Sequence, residues 1–178
     1  MTPRIRLSVR RVLFTLLALL MIALPLLPLG FSPSRWAMPD LFFALTISWV
    51  IRDKHSAPLI LVAGLALLAD AILMRPLGLW AVLVVITSEL ARMNDRFIRD
   101  GGIIAEMLFF WVTAISMVII QNIFLFLTFS NSYPVDRLVQ FVMLSLIIYP
   151  FIAAILHYVL RIRGEISKNL PDRLGKVG

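Results

Sequence analysis

The chain predicts an all-α polytopic membrane protein, a bundle of six transmembrane helices of unequal length. Three observations carry that reading. Hydrophobic residues fill 61% of the 178 positions and charged residues only 15%, far from a soluble average. Apolar runs recur near residues 12–30, 38–51, 57–73, 77–91, 103–129 and 138–160. Basic residues cluster in alternate connections: segments 4–11, 52–54, 92–99 and 161–176 hold all but Arg35, Arg75 and Arg137 of the 17 Lys and Arg. Retained positive charge marks the cytoplasmic side, so both termini are expected there. The same placement accounts for the net charge of +7 through anionic lipid headgroups and asks for no nucleic-acid partner. The whole chain, 1–178, then reads as one membrane domain ending in a polar cytoplasmic tail over 161–178.

The first span follows Arg4, Arg6, Arg10 and Arg11, a start that looks like a secretory signal. Its apolar run from Val12 to Gly30 outlasts an h-region of about 7–15 residues and no small-x-small site follows, so it reads as an uncleaved span. Pro25 and Pro28 bend or end it, since each removes a backbone hydrogen bond. The second span opens Met38-Pro39-Asp40-Leu41, with proline at the first helical position and an acid where the helix dipole favours negative charge. Spans two to four are short: about fifteen residues reach only about 22 Å against a hydrocarbon core of roughly 30 Å, which asks them to thin the bilayer or extend into flanking residues.

The third span contains Asp70 within Gly-Leu-Ala-Leu-Leu-Ala-Asp-Ala-Ile-Leu. An aspartate at the bilayer centre carries an insertion penalty of about 2.5–3.5 kcal/mol, so Asp70 must face protein or sit near an interface. Helical steps back from it reach Ala66, Ala63 and Leu59, a stripe rich in small side chains that suits close helix approach. Met74-Arg75-Pro76 leaves room only for a tight hairpin to span four. Arg75 is within reach of Asp70 for an ion pair at the membrane edge; a partner contact is the other reading. With Arg35, Asp40, Asp70 and Arg75 are expected to form a polar cluster at the outer mouth of the bundle.

Span four is expected to run on through Glu89, Arg92, Asp95 and Arg99, spaced for ion pairs along one face, until Gly101-Gly102 breaks it. Glu106, opening span five, is expected to pair with Arg99 or Arg96. Span five, at about 40 Å, is long enough to tilt. It carries Gln121 and Asn122, amides that read as interhelical hydrogen-bonding groups ahead of a transport pathway. Tyr149-Pro150 kinks span six, which approaches its basic end through His157.

Catalytic patterns are missing: no Gly-x-Ser-x-Gly, Walker A, His-Glu-x-x-His or dinucleotide glycine fingerprint occurs. His55 and His157 are isolated, and without cysteine there is no thiolate metal site. No catalytic residue, metal or cofactor is therefore expected, and the midplane offers amides rather than a chain of ionisable groups for proton coupling.

In order and spacing, the Arg-rich start, the proline-containing first span, Pro39-Asp40-Leu41, the basic loop Arg52 to His55, and Gly64 to Asp70 followed by Pro76-Leu77-Gly78 resemble the MreD family of bacterial rod shape-determining membrane proteins. The resemblance covers most of residues 1–100 and thins beyond Gly102. It implies a non-enzymatic inner-membrane scaffold of cell-wall elongation, binding MreC and working with MreB, RodA and its class B penicillin-binding transpeptidase. It also implies a fold similar to the substrate-binding subunits of energy-coupling-factor transporters, so the alternative function is a small-molecule-binding transporter subunit. The matching residues Pro39, Asp40, Asp70, Pro76 and Gly78, together with Arg75, which stands where the family usually has small or polar residues, read as a structural or partner-binding motif.

Overall fold

The computed structural model describes residues 3–27, 39–128 and 134–158, and every regular element among them is helical. The helices are α1 (Pro3–Ala23, followed by a 3-10 turn at Leu24–Leu26), α2 (Leu41–Arg52), α3 (Leu59–Ile72), α4 (Leu79–Met93), α5 (Asp95–Asp100), α6 (Gly102–Leu127) and α7 (Val135–Tyr158). Each of the six apolar runs becomes a helix. Among the described residues, three stretches are long and apolar enough to cross a membrane, Leu7–Leu26, Gly102–Leu127 and Asp136–Leu156, which marks a membrane protein.

The bundle is built around α2. Every residue from Phe42 to Arg52 is buried, and α2 touches α1, α4, α5, α6 and α7. A predominantly apolar helix enclosed on every side is a core element. Being enclosed also removes the length problem raised by its sequence: at about 18 Å it is shorter than the hydrocarbon core, but a helix covered by protein along its length does not have to match the lipid. The outer helices show the complementary pattern. On α1, Phe14, Ala18 and Ile22 are buried at helical spacing while Val12, Leu16 and Leu20 face outward, and Phe14 meets Trp49 of α2 with ring centroids 5.3 Å apart. Helices α3 and α4 form the most extensive pair and α2 and α7 the next, while α6 packs on α7.

Several boundaries differ from the sequence expectation. Helix α1 starts nearer the N-terminus than Val12 because the Arg-rich segment is itself helical, and it ends at Ala23, where Pro25 enters the 3-10 turn. Pro28, Arg35 and the tail 161–178 lie outside the described residues. Span four does not run on to Gly101: α4 stops at Met93, Asn94 caps it, and α5 is a separate short helix. Glu89 does pair with Arg92, at 3.5 Å; Asp95 pairs with Lys54 of the α2–α3 loop at 2.9 Å, and the side chain of Arg99 lies outside the described residues. The buried face of α3 is Val62, Leu65, Ala66, Ala69 and Asp70, so the expected stripe is right at Ala66 and Asp70 and wrong at Leu59, which is exposed. Helix α7 continues through Pro150.

Candidate functional site

Two buried polar clusters hold the ends of α2, and the first contains most of the motif residues. Asp40 is the N-cap of α2, Pro39 preceding it: its Oδ1 accepts from the Phe43 amide at 2.8 Å. Pro39 therefore stands outside the helix rather than at its first position. The second carboxylate oxygen accepts from the Trp80 indole Nε1 at 2.6 Å and from Arg75 Nη1 at 2.8 Å. The Arg75 guanidinium also lies 5.2 Å from the centroid of the Trp80 ring, a cation–π placement. Arg75 thus pairs with Asp40, not with Asp70 as its sequence spacing suggests. Ser145 of α7 joins through its hydroxyl, which accepts from the Asp40 amide at 3.4 Å.

Asp70 does different work. Fully buried on α3, it reaches across the hairpin so that its Oδ2 accepts from the amides of Gly78 (3.0 Å) and Ala81 (3.1 Å), the N-cap and third residues of α4. A helix N-terminus presents unpaired N–H groups and a positive dipole end, so a carboxylate there satisfies both. The turn between is fixed at two left-handed positions. Met74 (φ 53°) follows the last turn of α3, where the Arg75 amide donates back to the Asp70 carbonyl at 3.0 Å in a Schellman-type closure. Gly78 (φ 86°) then starts α4, and glycine accepts that conformation without the cost a side chain brings. Pro76 lies between the two within the turn. Asp40, Asp70, Arg75, Pro76 and Gly78 therefore meet in one place, while Arg35 lies outside the described residues. One oxygen, Asp70 Oδ1, is buried with no hydrogen-bond partner among them.

The second cluster was not legible in the sequence. Arg52, at the last turn of α2, points back into the bundle: Nη1 lies 2.6 Å from Glu106 Oε1 and 2.6 Å from the Ser48 hydroxyl, and Nη2 reaches the Ala153 carbonyl of α7 at 3.3 Å. The Tyr149 hydroxyl donates to the same Glu106 oxygen at 2.7 Å. Glu106 thus pairs with Arg52 rather than with Arg99 or Arg96. The ions are 8% and 9% exposed at their side chains, so this is a buried, hydrogen-bonded ion pair joining α2, α6 and α7. Outside it, Arg10 of α1 pairs with Asp53 at 2.8 Å.

An aromatic ladder joins the two clusters. Trp80 meets Phe43 at 6.4 Å, Phe43 meets Phe110 at 5.2 Å, and Phe110 stacks on Tyr149 at 3.9 Å with 14° between ring planes. Chemically the arrangement is a set of occupied groups: both Asp40 oxygens, Asp70 Oδ2 and Glu106 Oε1 already accept from internal donors. Such an arrangement fixes helices to one another. Of the amides expected to bridge helices, Gln121 is buried, and Asn122 Oδ1 has no hydrogen-bond partner among the described residues. His55 is exposed in its loop, and the side chain of His157 lies outside the described residues. No protein-family model, no curated protein and no solved structure matches the chain, so the site is defined by its own geometry: a two-ended polar clasp on the central helix.

Proposed function

We propose that the protein is a non-enzymatic membrane scaffold of the MreD type, which binds MreC and helps position peptidoglycan synthases of the elongation machinery in the bacterial inner membrane. The observation that carries this reading is the convergence of the ordered motif. Asp40, Asp70, Arg75 and Gly78, dispersed along 39 positions, meet in one largely buried cluster whose groups, Asp70 Oδ1 apart, are engaged with each other and with helix ends. A motif spent on internal contacts suits a part that must hold its shape for partners; a reaction centre or a ligand pocket needs open groups. Six crossings with both termini cytoplasmic complete the proposal, supported by the alternation of basic residues.

Depleting the protein from rod-shaped cells is expected to round them, and affinity purification from membranes is expected to retain MreC. Unchanged cell shape together with no retained MreC contradicts the proposal. The transporter alternative instead requires saturable binding of a small molecule that Asp40→Asn or Asp70→Asn weakens.

A further inference from the structure

The turn between α3 and α4 carries its polar groups inward and its apolar ones outward. Met74 and Leu77 are 92% and 74% exposed, whereas the Arg75 side chain, 20% exposed, folds in to Asp40 and Trp80. A turn that meets water ordinarily shows the reverse. The backbone follows the side chains: Pro76 has no N–H, and the amides of Leu73, Arg75 and Leu79 donate to the carbonyls of Ala69, Asp70 and Pro76. The amides of Gly78 and Ala81, which solvent would satisfy at a helix start in water, go to Asp70 Oδ2. Unsatisfied backbone groups are what keep turns out of lipid, and here the donors are matched from within.

The height of the hairpin agrees. At its other end Arg92 donates to the Ala57 carbonyl and pairs with Glu89, so the two helices start level beside a charged layer that also holds Lys54 and Asp95. From Arg92 back to Gly78 the rise is about 21 Å at 1.5 Å per residue, about 9 Å short of a hydrocarbon core of roughly 30 Å. Helix α6, with 26 residues, rises about 39 Å. A hairpin this short, tipped with Met and Leu, draws the far leaflet down to it.

We propose that the α3–α4 turn is a membrane-embedded tip: Met74 and Leu77 contact the acyl chains of the leaflet opposite the Arg-rich connections, and Asp70 takes the place of water at the start of α4. The inference goes beyond the scaffold reading and does not depend on MreC.

Because the chain lacks cysteine, single-cysteine variants carry one nitroxide each. In phospholipid vesicles, labels at Met74→Cys and Leu77→Cys are expected to collide more with oxygen than with a water-soluble nickel chelate, as at Leu16→Cys on the outward face of α1. His55→Cys, in an exposed loop, is expected to show the opposite. With Asp70→Leu in the Met74→Cys background, chelate collisions are expected to rise at least threefold as the uncapped amides draw water, while Asp70→Asn, which keeps an acceptor, leaves them unchanged. Chelate collisions at Met74 and Leu77 equal to those at His55 place the turn in water and overturn the proposal. Labels shielded from both reagents mean that protein covers the tip, a second copy of this chain in these vesicles, and overturn it as well. A reading that Asp70→Leu does not move overturns the role given to Asp70. MreC is absent throughout, so each of these failures leaves the scaffold reading standing.

Discussion

Replacing Arg52 by methionine tests the buried end of the clasp. The substitution keeps the volume of the stem and removes the guanidinium, leaving the Glu106 carboxylate buried with only the Tyr149 and Ser48 hydroxyls as donors. Breaking a buried ion pair from one side costs about 3–5 kcal/mol, because the remaining charge has no counterion. Replacing both ions removes the unpaired charge, so Arg52→Met with Glu106→Leu is expected to fall well short of the sum of the two single effects, with a coupling of about 2–3 kcal/mol. Unfolding in a defined detergent, followed by fluorescence of the four tryptophans, measures all three variants against wild type. An Arg52→Met variant that loses less than about 1 kcal/mol, or strict additivity of the two single changes, refutes a buried pair at this position.

The other predictions concern the Asp40 end and the periphery. Asp70→Asn keeps an oxygen for Gly78 and Ala81 and is expected to lose less than about 1 kcal/mol, whereas Asp70→Leu uncaps α4 and loses about 2 kcal/mol, both by the same unfolding assay. Arg137→Ala, at an exposed position near the start of α7, is expected to change stability by no more than about 0.5 kcal/mol. Gly78→Ala meets open space but forces a left-handed backbone on alanine, at about 1–2 kcal/mol, so a neutral result contradicts the hairpin geometry. Lys54→Ala removes a partly exposed pair and is expected to change stability by less than about 1 kcal/mol, diminishing further in high salt.

The helices were legible because burial in a membrane writes itself as uninterrupted apolar runs, and the breaks between them carry Pro, Gly or charge. The enclosure of α2 was not: its sequence is less apolar than that of α3, with Thr46, Ser48 and Arg52 in it, yet α2 is buried all round while α3 exposes one face, and apolar content does not separate a helix surrounded by protein from one facing lipid. Asp40 and Asp70 stood out as acids at or within apolar spans, and the structure gives both a helix N-terminus to cap. Which basic residue each would meet was not legible, since spacing along one segment favours Asp70 with Arg75, while the fold delivers Arg75 to Asp40, 35 positions away. Glu106 and Arg52 show the same limit. Each has nearer candidates in sequence, and only the packing of α2 against α6 and α7 joins them.

The central claim is that α2 is a protein-enclosed strut clasped at both ends. Carbene labelling from diazirine-bearing phospholipids, read by mass spectrometry of the peptides, tests it on the unmodified protein. Label is expected on the outward residues of α1, α6 and α7, and none between Phe42 and Ile51. Labelling of α2 at the density found on α1 or α6 contradicts the account.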